Sequence, residues 1–265
     1  MIRYSFQMPN PLSAIGFRAG TNQEFADLAE RAAKDSTEIR VADGSYLLWE
    51  CPSGAQLWLQ LDSTGKLTGM NPHYRGTASL SVALSARISR QYGTPLDGAF
   101  YAYASPKGDL DSGGVPEDYY YPFVFDCPDF ACYAGRTLPL RAMAQVTAFA
   151  HEFSLFWTKA DLDAVRSHGW RGAADQHFIP SGLFLPSGEA IDPPESTGVL
   201  GGYVRTAKER VNRMTGLRFL AIEIESYGGD YTVVVDPTLT DRIPPPGSIV
   251  AGHFWLSGRV VLLSS

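Results

Sequence analysis

Between residues 79 and 88 apolar and small polar positions alternate without a break, with Leu80, Val82, Leu84, Ala86 and Ile88 set against Ser79, Ser81, Ala83, Ser85 and Arg87. A period of two places the two sets on opposite faces of an extended chain, so the pattern predicts a strand and disfavours a helix. Residues 38–41, 46–51 and 56–61 read as three further strands, separated by turn residues at Asp43-Gly44 and Pro52-Ser53-Gly54. In the third, Leu57, Leu59 and Leu61 share one face while Gln56, Trp58 and Gln60 take the other. Residues 66–76 read as turn-rich. Residues 99–104 and 121–125 extend the sheet, and the Gly/Asp/Pro-rich stretch 106–116 reads as a loop between them.

Two segments carry helical spacing instead. Phe25, Leu28, Ala29, Ala32 and Ala33 line one face, with Glu24, Asp27, Glu30, Arg31 and Lys34 opposite them. Thr21-Asn22-Gln23-Glu24 is a capping box that starts this amphipathic helix, just after a short apolar run at 13–18. After Pro139, the residues Met143, Val146, Phe149, Ala150, Phe153 and Trp157 keep helical spacing among few charges, which predicts a largely buried helix covering the sheet. Thr158 and Asp161 then cap a short helix that ends near His168-Gly169.

The stretch 179–198 is rich in Pro, Gly and Ser around Asp192-Pro193-Pro194 and reads as a linker. Beyond it, five strands are expected at 199–213, 217–225, 231–236, 248–255 and 259–263. The expected fold is therefore α+β. A domain at 1–178 carries a mixed or antiparallel sheet with one amphipathic and one buried helix, and the linker 179–198 leads to a five-stranded β-barrel domain at 199–265. No long repeat period is visible in the sequence.

The order strand, helix, strand, strand, strand over residues 13–61 resembles one module of the vicinal-oxygen-chelate superfamily, which implies a metal site between paired modules. The matching strands offer no histidine, and Gln56 and Gln60 have no charged companions, so that ligand set does not carry over. Residues 199–263 are similar in strand order to the OB-fold, which implies binding of oligonucleotides or oligosaccharides. That portion holds seven basic residues (Arg205, Lys208, Arg210, Arg213, Arg218, Arg242, Arg259) and six acidic ones (Glu209, Glu223, Glu225, Asp230, Asp236, Asp241), a net of +1. Such a balance is not a phosphate-tracking groove.

Composition narrows the choice of partner. With 265 residues, 45% hydrophobic and 19% charged, the chain can bury a core without disulfides. Its net charge of −6 opposes a nucleic-acid backbone. Residues 1–6 do not lead into the apolar run of a secretory signal. No stretch approaches the ~18 apolar residues of a membrane span, since even residues 146–157 include His151 and Glu152. Cys51, Cys127 and Cys132 cannot all pair within one chain, so free thiols and a cytoplasmic location are expected.

The candidate chemistry is fragmentary. His151-Glu152 matches the start of a zinc-protease helix, but Leu155 stands where the second histidine is needed, so His151 reads as a partly buried histidine paired with a neighbour. Cys127, Cys132, His168 and His177 give four ligands without the tight pairs of a structural zinc site, and neither a metal nor a cofactor is expected. Asp126, Cys127, Asp129 and His151 together could supply nucleophile, acid and base to a hydrolase or transferase. Gly201-Gly202 and Gly228-Gly229 lack the spacing and the lysine of a phosphate loop and read as turns or bulges. Trp49, Trp58, Tyr121 and Trp255 are the aromatics best suited to a binding face. The expected function is binding of a protein partner or a small polar ligand without catalysis. The alternatives are the hydrolase or transferase, and single-stranded nucleic-acid binding by the C-terminal barrel through Arg210 and Arg213.

Overall fold

A computed structural model describes residues 10–90, 93–167, 174–185 and 187–261. The expectations for residues 1–6 and for a helix end at His168-Gly169 lie outside the described residues.

Helix α1 (Asn22–Lys34) starts at its capping box: the Thr21 hydroxyl accepts from the Glu24 amide at 3.2 Å, and the Glu24 carboxylate accepts from the Thr21 amide at 3.0 Å. Its apolar face buries Leu28, Ala29 and Ala32 in one cluster with Trp49, Leu57 and Leu59. These belong to an antiparallel sheet of β1 (Thr37–Val41), β2 (Gly44–Glu50), β3 (Ala55–Asp62) and β4 (Leu67–Tyr74), paired in that order. Two expectations change here. The apolar run at 13–18 forms a 3-10 turn at Ser13–Ile15, not a strand. The turn-rich stretch is strand β4, which tolerates Pro72 because it is an edge strand, and which buries Met70, His73 and Tyr74.

The remaining strands are β5 (Leu80–Ser89), β6 (Gly98–Ala104), β7 (Lys107–Leu110), β8 (Pro116–Asp118), β9 (Pro122–Asp126), β10 (Leu140–Ala150), β11 (Ser154–Phe156), β12 (His177–Ile179), β13 (Thr197–Val211), β14 (Arg218–Ser226), β15 (Gly229–Val235) and β16 (Ile249–Val261). Helix α2 (Lys159–Ser167) follows β11. Strands β7 and β8 pair only with each other, β7 inside the stretch 106–116 expected as a loop and β8 starting at its last residue.

The buried helix expected after Pro139 is absent: those residues form β10 and β11. Ala142, Ala144, Val146, Ala148 and Ala150 point into one core cluster while Phe149 joins the cluster on the other face. A strand covered on both sides has no polar face to reveal its period, and its scattered large side chains mimic helical spacing.

Strands β10 and β16 form the central ladder, an antiparallel run of eight residue pairs from Met143↔Val261 to Ala150↔Phe254. From this pair the sheet closes twice. One ring runs β10, β5, β6, β9, β16, and the other runs β10, β15, β14, β13, β16. The strands β5, β6, β9, β10 correspond in chain order to β13, β14, β15, β16. In each set the first strand is antiparallel to the second and the fourth, while the third runs parallel to the fourth strand of the other set. Each set has the strand order of a Greek key. This repeat lies in the pairing and has no counterpart in the sequence pattern. Both rings share one interior, a cluster that includes Val82, Phe100, Phe123, Val146, Ile222, Val233 and Leu256.

Strand pairings cross the stretch 179–198. Strand β10 precedes that stretch and pairs with β15 and β16 beyond it, so one hydrogen-bonded sheet spans both sides. The C-terminal strands close into a five-membered ring only with β10 as a member. The two strands expected at 248–255 and 259–263 are the single strand β16 as far as Val261, and residues 262–263 lie outside the described residues.

Candidate functional site

The β1–β4 sheet lies against the outer face of the double ring, and β4 crosses the β10–β16 ladder. Thr147 and Ser257 are direct partners in that ladder, and both turn a buried hydroxyl toward β4. Thr147 Oγ1 donates to the Tyr74 carbonyl at 2.8 Å, and Ser257 Oγ lies 2.9 Å from His73 Nδ1. A recess opens on each side of this crossing.

The inner recess, about 110 Å³, is lined by Asn71, Arg90, Asp97, Asp126, Trp255 and Ser257, with Pro128. Asp126, at the end of β9, pairs with Arg90 and accepts from Trp255 Nε1 at 2.5 Å. Burial pushes its carboxyl upward and the Arg90 guanidinium opposes that push. Arg90 also donates to the Pro194 carbonyl and the Ser196 hydroxyl, each at 2.7 Å, and so fastens the proline-rich stretch to the end of β5. The Asn71 amide donates to Asp97 at 3.0 Å.

Cys127 and Asp129 sit beside this recess and are fully engaged. The Cys127 thiol is buried and donates to Asp129 at 3.2 Å, and burial followed by the Asp129 charge drives its pKa well up, so it stays a thiol. Asp129 is ion-paired to Arg259 at 2.8 Å and accepts from Tyr133 at 3.2 Å. Arg259 in turn lies over the Trp58 ring, 4.9 Å from its centroid. His73 is buried, and its pKa is pushed down to about 3 by burial and then by the Arg259 charge. Both partners are buried, and their hydrogen bond ties β4 to β16.

His151, the fourth member of the proposed catalytic set, follows β10. Its amide donates to the His253 carbonyl at 2.9 Å and its ring lies 5.9 Å from the His253 ring. The structure thus gathers Asp126 with Arg90 and Trp255, and Cys127 with Asp129 and Arg259, while His151 packs beside His253. Of the aromatics, Trp49 is core, edge-on to Phe17 at 5.6 Å, and Trp58 is buried against Tyr46. Tyr121 is inside the double ring, stacked on Phe178 at 4.3 Å with its hydroxyl 2.7 Å from that of Tyr231. Trp255 lines the inner recess, and the edge of Trp49 borders an open depression with Arg31, Lys34, Asp35, Arg213 and Met214. Among the described residues, no group of three or more His, Cys, Asp or Glu could hold a metal, and His168 lies outside them.

The outer recess is a cleft of about 310 Å³ at the seam of the two sheets. Its floor is the outer face of β13, β14 and β15, where Thr206, Lys208 and Arg210 alternate along β13 and the row Thr206, Glu223, Thr232 crosses the three strands in register. Its wall is the end of β4 with Tyr74, Arg75, Gly76 and Thr77. Gly76 makes the wall possible, because a Cβ there would stand 2.1 Å from Thr232 Oγ1. Arg75, Lys208 and Arg210 face a single lining carboxylate, Glu223, which is already taken up by the Thr77 and Thr206 hydroxyls. Arg75 also pairs with Glu50 at 3.3 Å. Sequence reasoning singled out Arg210 only for nucleic acid and missed Arg75, Lys208, Arg90, His73 and Ser257. They converge from strands far apart in the chain, and no local spacing marks them.

Compared with known proteins, the chain matches no family model, no curated protein and no solved structure.

Proposed function

We propose that this chain binds a small polar ligand without transforming it, and that the ligand site is the cleft at the seam of the two sheets. The observation that carries this reading is the cleft itself. Its volume of about 310 Å³ lies at the lower edge of the range for small-molecule sites. It sits where two packed sheets meet, and its lining is mostly charged groups and hydroxyls. The groups that would serve catalysis give the complementary support: Cys127 is held as a thiol, Asp129 is neutralised by Arg259, and His73 is neutral. A cytoplasmic setting is part of the same proposal, supported by the free thiols Cys51, Cys127 and Cys132.

A thermal-shift screen of neutral, cationic and anionic polar metabolites on the full chain tests it. Thr206→Trp serves as the blocking variant, because Thr206 is exposed and lines the cleft. At least one compound should stabilise the protein, lose its effect in the variant and be recovered unchanged after prolonged incubation. Absence of any stabilising compound, indifference of every compound to T206W, or conversion of the bound compound would overturn the proposal.

A further inference from the structure

We infer that the ligand of the seam cleft carries an oxyanion, a carboxylate or phosphate group, gripped by Lys208 and Arg210 with Arg75 at the rim; this rests on the cleft being the ligand site. Three cations, of which Arg75 pairs with Glu50 at the rim, converge on the recess against Glu223, whose carboxylate already accepts from two threonines. Like charges gathered at the mouth of a recess repel, and the arrangement is relieved by a negative group placed among them. Lys208 has no ion-pair partner among the described residues, unlike Arg205 on the same strand and Arg218 on β14, which pair with Glu225 and Glu209.

Donor accounting points the same way. Arg210 borders the Tyr74 hydroxyl, yet its Nε is buried without an acceptor, and the Thr232 hydroxyl is buried without a partner. A buried donor without an acceptor has lost its water without replacement, which destabilises the unliganded cleft. An oxyanion is an acceptor with several lone pairs, which suits an arginine edge, an ammonium and a hydroxyl in one recess. The inner recess shows the contrast. It stands on the matching side of the β10–β16 crossing, but there the arginine is already paired with Asp126, and Asp97 adds a second carboxylate. The fold therefore holds a neutralised recess and a cationic one side by side.

The full chain is titrated with inorganic phosphate and, separately, with succinate, at constant ionic strength held with sodium chloride, by thermal shift and calorimetry. The inference expects saturable binding of at least one of the two, weakened about tenfold by Lys208→Ala and again by Arg210→Met, with Lys66→Ala, in the exposed turn before β4, unchanged. The melting temperature of each variant without added anion reports whether it folds. Because Lys208 is exposed, K208A keeps the test informative even if R210M is destabilised. Preference between phosphate and succinate identifies which oxyanion the cleft favours. If neither anion binds saturably, or if K208A and R210M bind as well as the parent, the inference fails. Should neutral polar compounds then bind in a manner blocked by T206W, the ligand-site reading survives without it; if nothing binds, both fall.

Discussion

Thr147 on β10 and Ser257 on β16 stand opposite each other in the central ladder, and each hydroxyl reaches out to a successive residue of β4, Ser257 to the His73 ring at 2.9 Å and Thr147 to the Tyr74 carbonyl at 2.8 Å. Two buried polar contacts thereby fix the position of the small sheet on the double ring, where apolar packing alone would tolerate sliding. The register of β4 sets both recesses, since Asn71 faces one and Tyr74 to Thr77 face the other.

The acid limb of stability should be set in part by His73. Its pKa in the fold, about 3, lies below the ordinary histidine value of 6.5, so the unfolded chain binds the proton more readily. The associated stability is complete above pH 6.5 and is lost as pH falls from there toward 3, at about 1.4 kcal/mol per pH unit. His177, lowered by burial as well, adds a slope of the same sign. Urea midpoints between pH 7 and 4 should therefore fall less steeply for His73→Gln than for the parent, although the variant is weaker at pH 7. Parallel slopes would show that His73 is not neutral in the fold.

Arg259 is the sole ion-pair partner of the buried Asp129 among the described residues, at 2.8 Å. Replacing it by methionine keeps much of the apolar stem but leaves a buried carboxylate uncompensated, an effect of about 3–5 kcal/mol. Adding Asp129→Asn to Arg259→Met should restore part of that loss, because no charge then remains to be desolvated. Equilibrium denaturation of the two single variants and the double variant checks this, and additive losses would contradict the coupling.

Gly76 touches Thr232 so closely that any side chain must push β4 away from β15. Gly76→Val should destabilise the protein by about 1–3 kcal/mol, the usual cost of overpacking. The combination with Thr232→Ala should recover part of it by vacating the space the valine needs. If G76V is neutral, the seam is looser than this contact requires.

Helix α1 was legible because its signals are local: the capping box and the apolar stripe lie within fourteen residues, and the structure realises both. Strands β2, β3, β5, β6 and β14 were legible for the same reason, each having turn residues at its ends or an alternating face. Strand β10 was not. With Ala148 and Phe149 buried on opposite sides, it lacks the polar face by which a strand declares its period. Of the candidate residues, Asp126 and Trp255 do meet in one recess, but the reason for their meeting, the pairing of β9 with β16 more than a hundred residues further on, has no local trace.

Residue order by itself determined the α+β character, the first helix and most strand positions, because propensity, turn chemistry and amphipathic period act over a few neighbouring residues. Tertiary structure alone decided that β10 and β16 pair, that two rings close on them and that Arg75, Lys208 and Arg210 face one cleft. Those outcomes depend on which distant strand edges satisfy one another's backbone groups and bury one another's faces, a competition settled over the whole chain and written in no single segment of it.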